Sequence, residues 1–256
     1  MILAIDVGNT HVVLGAIEGK ETRSLARLAT DASRTGAEYA LFMRSALELR
    51  CVDISAIEGT IISSVVPPVT PLLQEAVQLI TGKEALVVGS GIKTGLDIRI
   101  DNPAELGADL VVGAVGALAV VPPPLIMIDM GTATTIFVVG EKNQFLGGAI
   151  LPGVALGLKA LSGGTSQLGS VNVVPPKKVI STNTEHCMQS GAVYGAAAML
   201  DGMIDRMEEE LGQKCSIIST GGLAGVVVPY CRHEIRNEPE LLLQGLAILW
   251  EKNKKN

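Results

Sequence analysis

The sequence is poor in charge and in aromatic side chains. Charged residues make up 18% of 256, and there are only three Phe, three Tyr and one Trp. Lys and Arg number 20 against 26 Asp and Glu, a net charge of −6 with no basic block. That balance argues against nonspecific binding to nucleic acid or to an anionic membrane. The four cysteines, at 51, 187, 215 and 231, include no Cys-x-x-Cys pair. A chain of this length needs no staples, so a reducing, cytoplasmic setting is expected. With three scattered histidines, no structural zinc site is expected either. Met1-Ile-Leu-Ala-Ile meets Asp6 without a basic segment, so no signal peptide is expected. The uncharged stretch Leu110 to Ile128 is interrupted by Pro122-Pro123-Pro124. Three prolines end a helix, so this stretch reads as helix, turn and buried strand rather than a membrane span. Neither a GxxxxGK[ST] loop nor a GxGxxG before a helix occurs.

What is present is an aliphatic core. Hydrophobic residues reach 48%, and the 29 glycines follow no collagen-like period. Ile2–Val7 and 12–17 read as strands around the tight turn Gly8-Asn9-Thr10, with a third strand near 22–29. A helix is expected from Ser33 to about residue 49, a strand over 60–66, a helix over 70–80 and a strand over 85–88. Asn102 and Pro103 look like the opening of a helix that runs through Val120. In the second half, strands are expected over 125–129, 135–139, 145–150 and 216–220. Helices are expected over 154–161, 187–210 and 241–250, followed by a solvated tail from Glu251 to Asn256.

The two halves resemble each other. Leu125-Ile-Met-Ile-Asp129-Met-Gly131 can be laid on Ile2-Leu-Ala-Ile-Asp6-Val-Gly8, an offset of 123 residues in a chain of 256. Each copy is an apolar strand ending in Asp-x-Gly, a small polar turn and a second apolar strand. A repeat near half the chain length reads as an internal duplication. It predicts two α/β lobes, over 1–120 and 121–256, facing each other across a cleft.

Several residues in this frame could carry chemistry, and each has a plainer alternative. Gly8 lets the backbone approach a ligand closely, and the amides that follow can form an anion-binding nest. Asn9 and Thr10 add polar hydrogens for phosphate oxygens, and Asp6 could hold a magnesium ion. The alternative is an ordinary Asx-type turn. The second copy, with Asp129, Gly131, Thr132, Ala133 and Thr134, favours a clamp for a nucleoside triphosphate. Asp109 could accept a proton from a substrate hydroxyl, or could simply complement a helix N-terminus. Gly221 and Gly222 could let an adenine or ribose lie on the backbone, or could mark a turn. Thr184 could cap a helix or touch ligand. The closely spaced Gly191, Ala192, Gly195 and Ala196–Ala198 would allow close approach of another helix, within the fold or across a dimer.

Six motifs in order carry a resemblance to a known family. They are Asp6-Val-Gly-Asn-Thr10, Asn102-Pro-Ala-Glu-Leu-Gly-Ala-Asp109, Asp129-Met-Gly-Thr-Ala-Thr-Thr135, Gly147-Gly-Ala-Ile-Leu-Pro-Gly153, Thr184 with Gln189-Ser-Gly191, and Thr220-Gly-Gly222. Over about residues 2–250 the chain resembles type III pantothenate kinases, members of the acetate kinase, sugar kinase, heat-shock chaperone and actin superfamily. The resemblance implies a duplicated ribonuclease H-like (actin-like ATPase) α/β fold with two lobes around a nucleotide cleft. It also implies transfer of the γ-phosphate of ATP to the hydroxyl of pantothenate, the first step of coenzyme A synthesis. It further implies a cytoplasmic homodimer that uses Mg²⁺ and a monovalent cation, K⁺ or NH₄⁺.

By the same resemblance, Asp109 is the general base, and Gly107, Ala108 and Thr184 (the last from a partner subunit) contact pantothenate. Asp6 serves magnesium and Asp129 the monovalent cation. Gly8, Asn9, Thr10, Gly131, Thr132, Ala133 and Thr134 take phosphates, and Gly221 and Gly222 adjoin adenosine. The chain departs from the family pattern at three places: Leu110 where Arg is usual, Phe137 where an Asp is usual, and Gly169 where Pro is usual. Leu110 removes a cation that could fork onto a carboxylate. A catalytically weak nucleotide-binding or regulatory relative, or a kinase for another small hydroxyl acceptor, are the alternatives those departures leave.

Overall fold

The computed structural model describes residues 1–19 and 21–254. In chain order the elements are β1 (Ile2–Val7), β2 (His11–Glu18), β3 (Glu21–Ala29), α1 (Gly36–Glu48), β4 (Gly59–Ser64), α2 (Thr70–Thr81), β5 (Ala85–Val87), β6 (Asp97–Ile98) and α3 (Ala108–Val120). They continue with β7 (Leu125–Met130), β8 (Ala133–Val139), β9 (Gln144–Pro152), α4 (Val154–Gly163), α5 (Thr184–Leu211), β10 (Ser216–Thr220), α6 (Ala224–Val227), β11 (Arg236–Asn237) and α7 (Leu241–Asn253). The chain divides into two compact units. The first comprises Met1–Leu96, Asp101–Gly116 and the chain from Glu240 on; the second comprises Asp97–Ile100 and Ala117–Pro239.

The sheet of the first unit runs β3-β2-β1-β4-β5. β1 is antiparallel to β2 and parallel to β4. A central strand covered on both faces reads as a continuous apolar run, which is why Ile2-Leu-Ala-Ile carries no alternation. One face sets Leu3, Ile5 and Val7 against Tyr39, Met43 and Leu47 of α1 and Leu73 and Val77 of α2. The other sets Ile2, Ala4 and Ile61 against Val112 and Val115 of α3 and Leu243, Leu246 and Leu249 of α7. Each buried Val, Leu, Ile and Met among these contributes roughly 1.5–3 kcal/mol. A division at residue 120 would place α7 in the second lobe. Its apolar face instead completes the first unit's core, because β1 and β4 need cover on that side.

The second unit repeats the pattern. Its sheet runs β9-β8-β7-β10-β11, with β6 added beside β9. β7 is antiparallel to β8 and parallel to β10. Ile126, Ile128, Ile136 and Val138 pack on Ala197, Leu200 and Ile204 of α5 and on Ala224 and Val227 of α6. Strand order and strand senses therefore match between the two sheets, as the internal duplication requires.

Several boundaries differ from the sequence reading, each for a local reason. α1 starts at Gly36 rather than Ser33, because Thr35 and Glu38 form a reciprocal capping box. The helix expected from Pro103 is split. Pro103–Glu105 is a short 3-10 turn capped by Asn102, and α3 begins at Ala108. α5 is capped by Asn183, whose Oδ1 accepts the His186 N–H at 2.8 Å, and Thr184 is its first residue rather than its cap. Gly191 and Gly195 have nothing packed within 4 Å of where a Cβ would stand, so their side of α5 is open. α7 runs past the expected end at Trp250 to Asn253, with Glu251 and Lys252 exposed as expected, and residues 255 and 256 lie outside the described residues. α3 ends at Val120 and β7 begins at Leu125, on either side of the prolines. No described helix is long and apolar enough to cross a membrane. All four cysteines are free thiols, and burial pushes Cys231 up to about 12.

Candidate active site

Asp6 stands at the carboxyl end of β1, half-buried, with Gly8, Asn9 and Thr10 forming the turn into β2. The turn is closed by the Gly8 N–H donating to the His11 carbonyl at 3.0 Å. A residue that the sequence reading did not single out braces it. Thr30, just past β3, donates its hydroxyl to the Gly8 carbonyl at 2.7 Å and its N–H to the Thr10 carbonyl at 3.1 Å. Two carbonyl oxygens that would repel a phosphate are thereby held by donors. Asn9 and Thr10 are exposed at the tip.

Asp109 belongs to the same unit. α3 lies over the face of the sheet that ends in Asp6, and its first turn reaches the strand ends. A Cβ built on Gly107 would lie 3.7 Å from Val65 Cγ1 and 2.5 Å from Asp109 Oδ1. Val65 in turn donates its N–H to the Val7 carbonyl at 3.1 Å. Asp6, Gly107, Ala108 and Asp109 therefore collect at one end of one sheet. Burial pushes the Asp109 carboxyl above the usual carboxylate range, opposed in part by the Leu110 N–H that donates to Oδ1 at 2.8 Å. A half-buried carboxyl of raised basicity is suited to accepting a proton from a hydroxyl. Ser63 sits beside Asp6 in the parallel register of β4. It is fully buried, and its hydroxyl has no hydrogen-bond partner among the described residues.

The second unit holds an equivalent hairpin. Asp129 ends β7, with Gly131 and Thr132 exposed in the turn and Ala133 and Thr134 opening β8. Here the brace is Gly153, the first residue after β9. Its N–H donates to the Thr132 carbonyl at 3.2 Å, and a Cβ there would collide with the Gly131 and Thr132 carbonyl oxygens. Gly221 follows β10 at φ +93°, and a Cβ on it would stand 2.5 Å from Asp129 Oδ1. Only a glycine brings backbone so close to that carboxylate. Gly222 is exposed beside it. Thr135 pairs with Asp129 across β7 and β8, and its buried hydroxyl has no partner among the described residues. Thr184 is exposed at the start of α5, in this second unit.

One further side-chain group lies outside these hairpins. The ligand atoms of Asp205, Glu208 and His233 fall within 4.8 Å of one another. Glu208 already accepts from Lys214 Nζ at 2.6 Å and the Cys215 N–H at 2.9 Å, and His233 Nε2 lies 2.9 Å from Asp205 Oδ1. These bonds clasp α5 to the loops that follow it.

The type III pantothenate kinase family model matches residues 2–206. A type III pantothenate kinase of Moorella thermoacetica is 42% identical over 99% of this chain and 100% of its own length. Another, of Syntrophotalea carbinolica, is 41% identical over 99% and 100%. The chain belongs to the type III pantothenate kinase family. Among solved structures, a Baf-family transcriptional activator from Campylobacter jejuni aligns with a TM-score of 0.63 at 17% identity over 98% of both chains. The (R)-2-hydroxyglutaryl-CoA dehydratase component A of Acidaminococcus fermentans aligns at 0.55 and 16% identity, over 97% of this chain and 96% of that one. At such identities the likeness concerns the fold alone, which is the duplicated ribonuclease H-like, actin-like α/β fold.

Membership gives the three departures their meaning. Leu110 is half-buried in the first turn of α3, beside the base candidate. Arg99, in the second unit, pairs with Asp97 at 2.7 Å. Phe137 is buried, with its ring centroid 5.2 Å from that of Phe145. The position that carries an acid in the family pattern is therefore part of an apolar layer here. Gly169 is exposed in an irregular segment, and its carbonyl accepts the Ser162 hydroxyl at 2.9 Å.

Proposed function

We propose that Asp109 is the general base of this pantothenate kinase and that the Asp6 and Asp129 hairpins are its phosphate-binding elements. The chain is a kinase. It moves the γ-phosphate of ATP to the hydroxyl of pantothenate, in coenzyme A biosynthesis. One observation carries the residue assignment: the raised, half-buried carboxyl of Asp109 shares a sheet end with Asp6. Asp109 orients the pantothenate hydroxyl and takes its proton as the oxygen attacks phosphorus, while Gly107 and Ala108 line that substrate. The braced turns at Gly8, Asn9 and Thr10 and at Gly131 and Thr132, with Ala133 and Thr134 at the start of β8, direct N–H groups and the exposed hydroxyls of Thr10 and Thr132 at phosphate oxygens. Attack is in line, and positioning matters more than base strength. Gly221 and Gly222 adjoin adenosine.

The donor atoms fit the two cations. Asp6 offers a hard carboxylate oxygen of the type magnesium takes, and Asp129 has the unpaired Thr135 hydroxyl beside it for K⁺ or NH₄⁺. Bound there, the cations neutralise phosphate charge that neither lysine-free turn can offset alone. The active form is a cytoplasmic homodimer in which Thr184 approaches the pantothenate site of the partner subunit. The open side of α5 at Gly191 and Gly195 and the exposed Leu156, Val179 and Ile180 support that reading.

The test is ADP release by the purified protein with pantothenate, Mg²⁺ and K⁺ each supplied or withheld. Release that requires all three is the expected result. Asp109→Asn should lower turnover about 10²–10⁴-fold while ATP binding survives. Unchanged turnover in that variant removes Asp109 as the base.

A further inference from the structure

We infer that Ser63 is a positioning residue for Asp6, its hydroxyl reserved for a bond that forms only when the magnesium–nucleotide complex is bound. The inference rests on the assignment of Asp6 to magnesium made above. Ser63 is 0% exposed, and its Oγ has no hydrogen-bond partner among the described residues. A buried hydroxyl left unpaired destabilises the fold, and such groups are rare in folded proteins. Serine also brings little to a central strand, where β-branched residues pack better. Something other than the stability of the ligand-free fold therefore accounts for it.

Its position supplies the reason. Ser63 lies opposite Asp6 in the parallel pairing of β1 and β4, so both side chains leave the sheet on the same face. That face carries α3, and with it Asp109. The adjacent Ser64 is different. Its hydroxyl accepts from the Val66 N–H at 3.2 Å and from the Thr70 hydroxyl at 2.8 Å, which ties β4 to α2. Two successive serines thus do separate things: one is bonded into the fold, and the other is held unbonded beside the acid.

Thr60 gives the contrast. It too is buried with an unpaired hydroxyl, but it sits near the start of β4 in register with Leu3 and Ala85, with no carboxylate beside it. A threonine there is explained by its β-branched shape.

In the loaded site, the Ser63 O–H donates to the Asp6 carboxylate oxygen turned away from the cation. That bond fixes the carboxylate's rotamer and keeps its other oxygen aimed at the metal. Partners of this kind around metal-binding carboxylates typically change metal affinity or activity 10–100-fold when removed.

The experiment compares Ser63→Ala, Ser63→Cys, Thr60→Val and Asp6→Asn with the unaltered protein. Three quantities are read: the ligand-free Tm, the Tm shift produced by Mg·ADP, and the Mg²⁺ concentration giving half-maximal pantothenate phosphorylation. Ser63→Ala should leave the ligand-free Tm unchanged or higher. It should also shrink the Mg·ADP shift and raise the half-saturating Mg²⁺ about tenfold or more. Ser63→Cys, similar in size but a weaker donor, should fall between, and Thr60→Val should match the unaltered protein in Mg²⁺ dependence. A lowered ligand-free Tm in Ser63→Ala, or an unchanged half-saturating Mg²⁺, overturns the inference. If Asp6→Asn itself keeps the original Mg²⁺ dependence, the assignment of Asp6 fails. If Asp6→Asn shifts it and Ser63→Ala does not, only the role of Ser63 fails.

Discussion

The two hairpins are the same device built with different parts. Each acid stands one residue before the end of the strand that opens its hairpin, β1 or β7, and each turn is braced by the first residue after the strand that follows the hairpin, β3 or β9. In the first unit that residue is Thr30, which donates a hydroxyl and an N–H to the turn carbonyls. In the second it is Gly153, which donates only its N–H, from so close that no side chain fits. The residues beside the acids differ as well. Asp6 has the buried hydroxyl of Ser63 on its parallel neighbour, whereas Asp129 has that of Thr135 on its antiparallel neighbour and the backbone of Gly221 pressed against it. The first unit also carries an acid on a crossing helix, Asp109, within the same end of the sheet. The two copies thus share a backbone frame, to which the first adds the half-buried carboxyl of Asp109 and the second a close glycine contact.

The sharpest way to break this comparison is at Phe137. Phe137→Asp restores the acid of the family pattern, but here it would bury a carboxylate against Phe145. It should destabilise the protein by about 3 kcal/mol or more, seen in denaturant unfolding. A neutral result would mean that an unrecognised cation partner waits there. Next come the two braces. Gly153→Ala should cost about 2–3 kcal/mol, because the new methyl meets backbone carbonyls that cannot give. Thr30→Val should cost only about 1 kcal/mol in stability, while raising KM for ATP several-fold. Equal losses at the two positions would mean that the braces are interchangeable.

Asp109 sets a pH dependence that the second unit should not share. Its carboxyl is raised by burial, so the acid limb of kcat/KM should lie above the usual carboxylate range. The linked stability effect has the opposite sense. The ionised form is the one disfavoured in the fold, so Asp109 detracts from stability above its folded-state pKa. That penalty disappears as pH falls below the unfolded-state value. Asp109→Asn should therefore melt slightly higher than the unaltered protein at pH 8, with the difference fading toward pH 4. The smallest effect is expected from Leu110→Arg, which should lower KM for pantothenate a few-fold. An unchanged KM would show that the acceptor's carboxylate is recognised elsewhere.

Most of both sheets was legible from composition and periodicity, because β1 and β7 are apolar runs that each lead into Asp-x-Gly. The two-residue strands β6 and β11 and the four-residue α6 were not, since segments so short carry no period. Capping was read only approximately. Thr184 looked like a cap, yet the bond is made by Asn183 one residue earlier. The tail illustrates a different limit: Glu251–Asn253 look solvated by composition but continue α7 as its last turn.

The sequence by itself determined the duplicated acidic strand–turn–strand units and the order of the motifs, because these are local patterns of apolar and small polar residues. Tertiary structure alone decided that α7 closes the first unit, that Thr30 and Gly153 hold equivalent turns, and that Ser63 stands beside Asp6. Each depends on which strand lies next to which, and a parallel neighbour dozens of residues away leaves no mark in local spacing.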